Sequence, residues 1–266
     1  MTSVATSRPS LSSNDAAVLQ ALFDAESSPS SGVKVDSSLP PWPATVNLSQ
    51  EDLLAVKNRE IEVIRELQPS MNPTPENVQS AINKFDDLLT QYPTYPPAYT
   101  NRAQALRMLV DLQSKDTNEK TETDSDDALF TPQAADVSSR ILADLGQAIA
   151  LATPASPADP VSSGQARLLA DAHTHRGYLL LKAARVKKSQ TLQDEAVGPD
   201  RLRGLGADQL EEMSSRDFFL GGRYGNKVAQ QLAVQTNPYA KMCGAIVKEA
   251  MRKEFEEFEG QIQPST

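Results

Sequence analysis

The stretch from Ala81 to Leu106 constrains the fold more than any other part of this 266-residue chain. Its small and apolar residues recur three or four positions apart on both sides of Pro93, the spacing of one face of a helix. They are Ala81, Phe85, Leu88, Tyr99, Ala103 and Leu106. Because proline ends a helix, this order predicts two helices that meet at a turn, at the junction between consecutive helical hairpins.

The same pattern returns twice with the residue order of a tetratricopeptide repeat. Tyr99, Arg102, Ala103 and Leu106 occupy its tryptophan, leucine, glycine and tyrosine positions, and so do His173, Arg176, Gly177 and Leu180. The second helices carry Phe85, then Leu145 with Ala148, and then Ser214, Phe218 and Gly221. We therefore predict an all-α fold of three degenerate tetratricopeptide hairpins in a superhelical stack, with an N-terminal docking helix and a C-terminal capping helix.

Composition shifts divide the chain into three regions. Residues 1–48 are predicted to hold a short helix (Ala16 to Phe23) and a Ser/Pro-rich linker in which Trp42 pins the chain to the fold. Residues 49–226 hold the three hairpins, with inserts at 112–136 and 187–206. The first insert is acidic and poor in apolar residues, which predicts disorder. Residues 227–266 form the cap, whose helix is predicted to start at Asn237-Pro238.

Charge and composition restrict the partners. The 26 Lys and Arg residues against 35 Asp and Glu residues leave a net charge of −9, so nucleic acid and anionic membrane are not expected to bind. No apolar run has the ~20 residues that span a bilayer. The first residues contain no apolar run typical of a secretory signal, and Cys243 is a lone cysteine. We expect a cytoplasmic protein, with the nucleus as the alternative reducing compartment.

The sequence offers little chemistry. His173 and His175 are two positions apart on a predicted helix, so they point about 200° apart and cannot bind one metal ion together. Cys243 lies on an apolar stripe without a nearby base, which is typical of a buried thiol. We predict no cofactor, no metal and no enzymatic activity.

The predicted site is the concave groove formed by the first helices of the hairpins. Its candidate residues share a polar side chain on the inner helix face: Lys57, Asn101, Gln104, Arg107, His175, Tyr178 and Lys182. Asn101 matches the position of an asparagine that holds a carboxylate in chaperone-binding repeats. Ile61 stands where the first-repeat asparagine of that carboxylate clamp is expected, and Asp171 and His175 stand where its third-repeat lysine and arginine are expected. A polar helix face that only contacts solvent is the alternative.

Five sequence blocks resemble the tetratricopeptide repeat protein 36 family in the family's order. They read NDAAVLQALF (14–23), YTNRAQA (99–105), HRG (175–177), SRDF (215–218) and NPYA (237–240). The resemblance spans nearly the whole chain, apart from the two long inserts. It implies three repeats, an adaptor without catalytic activity, association with a chaperone of the 70-kDa heat-shock class, and a link to tyrosine metabolism.

These observations lead to three functional hypotheses. The first is a non-enzymatic, co-chaperone-like adaptor that binds a peptide or partner protein in its groove. The second is an autoinhibited module whose N-terminal helix, Ala16 to Phe23, occupies that groove. The third is a cryptic metal-dependent enzyme, which elemental analysis of the purified protein would detect.

Overall fold

The computed structural model describes four long ranges and a few further residues: 33–68, 71–117, 125–189, 199–237, 249, 252 and 253. Within them, every named element is helical, and β-type pairing is limited to a single parallel bridge between Val35 and Val161. The predicted all-α fold class is therefore confirmed.

The helices follow the chain in order and pack mainly against their sequence neighbours. They are α1 (Gln50–Glu66), α2 (Pro75–Gln91), α3 (Pro96–Thr117), α4 (Ala135–Ala152), α5 (Ser163–Ser189), α6 (Asp200–Arg203), α7 (Ala207–Arg223) and α8 (Lys227–Thr236). Short 3-10 turns cover Ala44–Val46, Ser125–Phe130 and Pro132–Ala134. The long helices contact one another in the sequence α1–α2–α3–α4–α5–α7–α8. This order is compatible with a stack of helical hairpins.

Local capping fixes the starts of the first two helices. The Ser49 side chain accepts a hydrogen bond of 3.0 Å from the backbone N–H of Asp52. At the start of α2, Thr74 and Asn77 each accept a hydrogen bond from the other's backbone N–H, and Pro75 is the first helical residue. Such caps satisfy N–H groups that have no partner within the helix. In the sequence, Ser49 followed by Glu51 and Asp52 predicts a helix start at Ser49, and the prolines up to Pro75 predict the next helix from Glu76. The observed first residues, Gln50 and Pro75, are each within one residue of these predictions.

The interhelical positions predicted from the repeat pattern lie in the core. Phe85, Leu145 and Phe218 are completely buried. Gly177 brings α5 close to α7, because a Cβ atom at this position would lie 3.1 Å from the Phe218 ring. A larger residue there would force the two helices apart.

The insert predicted at 112–136 is much shorter than expected. Helix α3 continues to Thr117, and the chain from Ser125 to Ala134 forms two 3-10 turns. Leu129 and Phe130 are buried within the main core cluster, and the Ser138 hydroxyl donates a hydrogen bond to the Leu129 carbonyl. The prediction of disorder is wrong for 112–117 and 125–136, because two apolar side chains anchor a segment whose composition is otherwise acidic. Residues 118–124 lie outside the described residues.

The second predicted insert, 187–206, is also largely structured. Helix α5 extends to Ser189, α6 covers Asp200–Arg203, and Leu202 is buried. The Lys187 ammonium donates hydrogen bonds of 2.6–2.9 Å to the carbonyls of Leu202, Arg203 and Leu205. A lysine that was expected to begin a loop therefore holds the chain around α6 against α5. Residues 190–198 lie outside the described residues.

The described part of the N-terminal linker lies on the helices. The Ser162 hydroxyl donates a hydrogen bond of 2.8 Å to the Pro41 carbonyl. The Trp42 ring meets the Tyr95 ring edge-on, with 6.2 Å between centroids. Residues 33–48 thus link the start of α5 to the turn before α3. The predicted docking helix at Ala16 to Phe23 lies outside the described residues.

The C-terminal region contains a helix that the sequence analysis did not predict. Helix α8 covers Lys227–Thr236 and is capped by Asn226, whose side chain accepts a hydrogen bond of 3.0 Å from the Ala229 N–H. The capping helix predicted to start at Asn237-Pro238 lies almost entirely outside the described residues.

Candidate binding groove

A groove of about 480 Å³ lies between α3, α5 and α8. Helices α3 and α5 supply mostly polar side chains to it, and α8 supplies apolar ones. The lining residues are Thr100, Asn101, Gln104 and Arg107 from α3, Leu145 from α4, Asp171, Ala172, Thr174, His175 and Tyr178 from α5, and Asn226, Val228 and Leu232 from the start and body of α8. We call this the wide groove.

The wide groove brings together five of the seven predicted site residues: Asn101, Gln104, Arg107, His175 and Tyr178. Lys182 lies one helical turn beyond Tyr178 and is buried, with its ammonium over the Tyr178 ring. Lys57 is exposed on α1 and does not line the wide groove. The first-hairpin candidate therefore lies outside the wide groove, although its charge acts on Glu60, which contacts Asn101.

Asn101 holds a carboxylate that belongs to the chain itself. Its side-chain amide donates a hydrogen bond of 2.6 Å to Glu60, which is only 9% exposed on α1, and the Tyr95 hydroxyl donates to the other oxygen of Glu60. Burial raises the pKa of Glu60, although these two hydrogen bonds and the charge of Lys57 oppose the rise. Burial and the adjacent Glu60 also raise the pKa of Tyr95.

The contact between Asn101 and Glu60 disfavours the carboxylate clamp that the position of Asn101 suggested. Glu60 already accepts a hydrogen bond from the Asn101 amide, the group that would hold a partner's carboxylate in such a clamp. Asp171 is exposed and lines the groove on α5. Glu60 lies behind Asn101 and does not itself line the groove. We call Asp171, together with Glu60 behind Asn101, the acidic end of the groove, and we expect it to repel a C-terminal carboxylate.

The other end of the wide groove carries two cations around one aromatic ring. The Arg107 guanidinium lies 5.4 Å from the centroid of the Tyr178 ring, and the Lys182 ammonium lies 5.9 Å from it. Both distances are within the range of cation–π attraction. We call Arg107, Tyr178 and Lys182 the cationic end. Asn101 precedes Arg107 by six residues and Asp171 precedes Tyr178 by seven, so the two ends are about 10 Å apart along the helices.

A second, smaller depression adjoins the wide groove on the other side of α3. It has a volume of about 200 Å³ and is lined by Ile64, Leu67, Gln68, Phe85, Asn101, Gln104, Ala105 and Met108. Asn101 and Gln104 line both depressions. We call the smaller one the apolar pocket, because Ile64, Leu67, Phe85 and Met108 dominate it.

Two Arg–Asp pairs, in which the aspartates are buried and the arginines partly buried, fix the helices that form the wide groove. Arg102 on α3 makes two hydrogen bonds, of 2.8 and 2.6 Å, with Asp144 on α4. Arg176 on α5 makes the same pair, at 2.7 Å each, with Asp217 on α7. Such bidentate pairs restrict orientation as well as distance. Arg102 departs from the leucine of the repeat pattern, and its role is to fix α3 against α4.

His173 also contacts the aspartate of the Arg176–Asp217 pair. Its Nδ1 lies 2.8 Å from an oxygen of Asp217, and its ring stacks on Tyr224 with an interplanar angle of 8°. Burial raises the pKa of Asp217, but the hydrogen bonds from Arg176 and His173 outweigh it and hold that pKa below its ordinary value. His173 thus contributes to packing between α5 and α7.

The described residues contain neither a cluster of metal-binding side chains nor a membrane-spanning helix. No group of three or more His, Cys, Asp and Glu side chains in the described ranges is arranged to hold a metal ion. Among the same residues, no helix is long and apolar enough to cross a membrane.

Comparison with known proteins finds one that aligns along nearly the whole chain. The L-tyrosine degradation gene cluster protein hmgX of Aspergillus fumigatus is 61% identical over 255 residues, which cover 96% of this chain and 97% of that protein. No family model matches the chain, and no solved structure matches it.

Proposed function

The chain belongs to the family of the L-tyrosine degradation gene cluster protein hmgX, and from this kinship we propose that it serves L-tyrosine degradation as a non-enzymatic adaptor. In this proposal the wide groove holds a segment of a partner protein that takes part in the pathway. We place this interaction in the cytoplasm.

We further infer that the helices form three tetratricopeptide hairpins. Helix α1 would pair with α2, α3 with α4, and α5 with α7, while α8 would be the first helix of a following pair. The burial of Phe85, Leu145 and Phe218 at equivalent positions supports this assignment. The equivalent pairs Arg102–Asp144 and Arg176–Asp217 support it independently.

One observation carries the adaptor proposal. Polar residues that the repeat pattern selects on two separate helices, α3 and α5, line one open groove, where α8 adds Val228 and Leu232. Peptide-binding grooves combine apolar surface with a few fixed polar groups in this way. The acidic end disfavours a free C-terminal carboxylate, so we expect the ligand to be an internal segment of the partner.

The adaptor proposal is tested by copurification from cells that express the full chain and grow on L-tyrosine. Enzymes of L-tyrosine degradation should copurify with the wild-type chain, and an Arg107→Glu variant should lose most of them. Arg185→Glu makes the same charge change at an exposed site on α5 and should retain them. Equal recovery with all three chains, or none with the wild type, would contradict the proposal.

The chaperone association implied by the family resemblance is tested separately. A peptide with the C-terminal sequence of a 70-kDa heat-shock chaperone is titrated with the full chain, once with a free carboxylate and once amidated. Because the acidic end repels a carboxylate, we expect the form with the free carboxylate to bind the wide groove no better than the amidated form. Binding that requires the free carboxylate and is lost in Asn101→Ala would favour a chaperone-type clamp instead.

A further inference from the structure

We propose that residues 14–26 of this chain, the N-terminal segment, lie in the wide groove and must be displaced by the partner. The docking can be tested without a partner, whereas its regulatory effect rests on the adaptor function proposed above.

A third depression adjoins the wide groove on the side of the N-terminal linker. Its volume is about 480 Å³. Asp171, Asn226 and Val228 line both depressions. Further wall residues are Val35 from the linker, Ala166 and Arg167 from α5, and Lys227 from α8. We call this depression the linker pocket.

The chain enters the described fold at the linker pocket. The Val161 N–H donates a hydrogen bond to the Lys34 carbonyl, and the Val161 carbonyl accepts one from the Asp36 N–H, each 2.9 Å long. These bonds hold Val35, which lines the linker pocket and not the wide groove. The preceding residues therefore join the fold beside this pocket.

The chain before Val35 is long enough to reach every part of the wide groove. Ala166 in the linker pocket and Tyr178 in the wide groove are twelve residues apart on α5, a distance of about 18 Å. Phe23 and Val35 are also twelve residues apart, and an extended chain of that length spans about 40 Å. The apolar part of the N-terminal segment can therefore lie over the wide groove while Val35 keeps its place.

The apolar face of the N-terminal segment matches the apolar wall of the wide groove. On α8, Val228 is 59% exposed, and Leu232 is partly buried. The segment is predicted to be a helix too short to be stable alone in water, so it needs a surface on which to bury its apolar face. Packing that face on α8 would remove apolar area of both from water. Four residues form the face: Val18, Leu19, Leu22 and Phe23.

The linker pocket favours the two carboxylates that follow this apolar face. The N-terminal segment contains no Lys or Arg, and Asp24 and Glu26 lie between its apolar residues and the linker. In the pocket, Arg167 and Lys227 are exposed and form no ion pair within the described ranges. Asp171 offsets one of these two charges, so the pocket walls retain a net positive charge. The order of apolar and acidic residues in the segment thus matches the order of the wide groove and the linker pocket.

Tethering makes the N-terminal segment an effective competitor. A segment held by a short flexible linker has an effective concentration on the order of 1 mM at its site. A partner segment that binds the wide groove must therefore displace it, and the full chain binds more weakly than a chain whose own segment cannot dock.

Photocrosslinking within the purified full-length chain tests the docking without a partner. A photoreactive amino acid at Val228 should crosslink to the N-terminal segment of the same molecule, as identified by mass spectrometry of the digested monomer. Val234 is 55% exposed on the same helix and lines neither depression, so the same amino acid there should not react with the segment. A crosslink from position 228 only to residues 238–266, only to a second copy of the chain, or to nothing would overturn the inference.

Two double variants of the full-length chain separate the faces of the predicted helix. Leu19→Glu with Phe23→Glu changes the apolar face and should lower the crosslink yield from position 228 about tenfold. Ala17→Glu with Gln20→Glu adds the same number of carboxylates to the opposite face and should retain the yield. Equal yields in the two double variants would overturn the docking.

A charge exchange tests the linker pocket. Arg167→Glu with Lys227→Glu should reduce the yield from position 228, and the further changes Asp24→Lys and Glu26→Lys in the same chain should restore it. An unchanged yield in the first variant, or no restoration in the second, would overturn the assignment of the acidic residues to this pocket.

Copurification from cells that grow on L-tyrosine tests the competition. Leu19→Glu with Phe23→Glu should recover more enzymes of L-tyrosine degradation than the wild type, and Ala17→Glu with Gln20→Glu should recover the same amount. An intramolecular crosslink combined with unchanged recovery would overturn the competition. If no enzyme copurifies with any of the chains, the adaptor function is contradicted, while the crosslink still decides the docking.

Discussion

At the scale of single residues, two polar side chains one turn apart on α3 have different roles. Asn101 donates to the buried carboxylate of Glu60, whereas Gln104 is exposed in the wide groove. Asn101→Ala would leave one oxygen of Glu60 without this donor, so we expect the free energy of unfolding to fall by about 1–3 kcal/mol. Gln104→Ala should change it by less than about 0.5 kcal/mol. Urea unfolding of both variants measures the difference, and equal stabilities would contradict the assigned role of Asn101.

Asp217 gives a prediction with a defined pH dependence. Asp217→Asn would leave the Arg176 guanidinium without its charged partner and should cost about 3–5 kcal/mol near pH 7. The pKa of Asp217 is lowered in the folded chain, so its stabilisation is present above its ordinary value of 3.8 and is lost as pH falls below it. The stability difference between the wild type and Asp217→Asn should therefore shrink from pH 7 to pH 3.

An exposed aspartate on the same helix provides the control for this prediction. The side chain of Asp208 is 97% exposed, so Asp208→Asn should be nearly neutral at both pH values. A stability difference for Asp217→Asn that stays constant down to pH 3 would contradict the role of its charge.

The sequence identified several groove residues but not the groups that hold them. Asn101, Gln104 and Arg107 recur three positions apart, so their shared helix face could be predicted. The partners of Arg102 and Arg176 lie 42 and 41 residues away, and helical periodicity carries no information over such distances. A signal was available, because Asp144 and Asp217 each immediately precede a core position of the repeat. The repeat pattern specifies only apolar and small residues, so it does not by itself identify these aspartates.

At the scale of helices and loops, the segment between α3 and α4 gives the clearest test of whether the acidic region is packed against the core. Phe130 is 4% exposed in a region whose acidic composition predicted disorder. Phe130→Ala should lower the free energy of unfolding by about 3–5 kcal/mol, because it opens a cavity beside Leu129. Leu54→Ala, at a site 62% exposed on α1, should have little effect. A near-neutral Phe130→Ala, measured by thermal or urea unfolding, would contradict the packing of this segment.

The accuracy of the predicted element boundaries follows from local chemistry. Helices α1 and α2 start at capping residues that act within one turn, so the sequence alone located them. The extension of α5 and the position of α6 depend on Lys187 and Leu202, which become structural only when distant parts of the chain meet. Helix α8 was not predicted, because Asn237-Pro238 is a strong signal for a helix start and placed the predicted C-terminal helix after it.

At the scale of the whole molecule, the packing of the helices accounts for the wide groove. Each long helix buries one face against its neighbours along the chain, as the contacts from α1 through to α8 indicate. Helices α3 and α5 are left with polar faces on the same groove, and this convergence was predictable from the repeat period. The third wall of the groove could not be predicted in this way, because Val228 and Leu232 belong to α8, which the repeat pattern does not indicate. The division into an acidic and a cationic end likewise depends on the tertiary arrangement.

Site-specific photocrosslinking tests the central claim, that the wide groove holds a partner protein, most directly. A photoreactive amino acid is placed at Gln104 in the groove or at Gln79, which is exposed on α2, in cells that grow on L-tyrosine. Crosslinked proteins are identified by mass spectrometry. The proposed function predicts that an enzyme of L-tyrosine degradation is crosslinked from position 104 and not from position 79. The same products from both positions, or none from position 104, would contradict it.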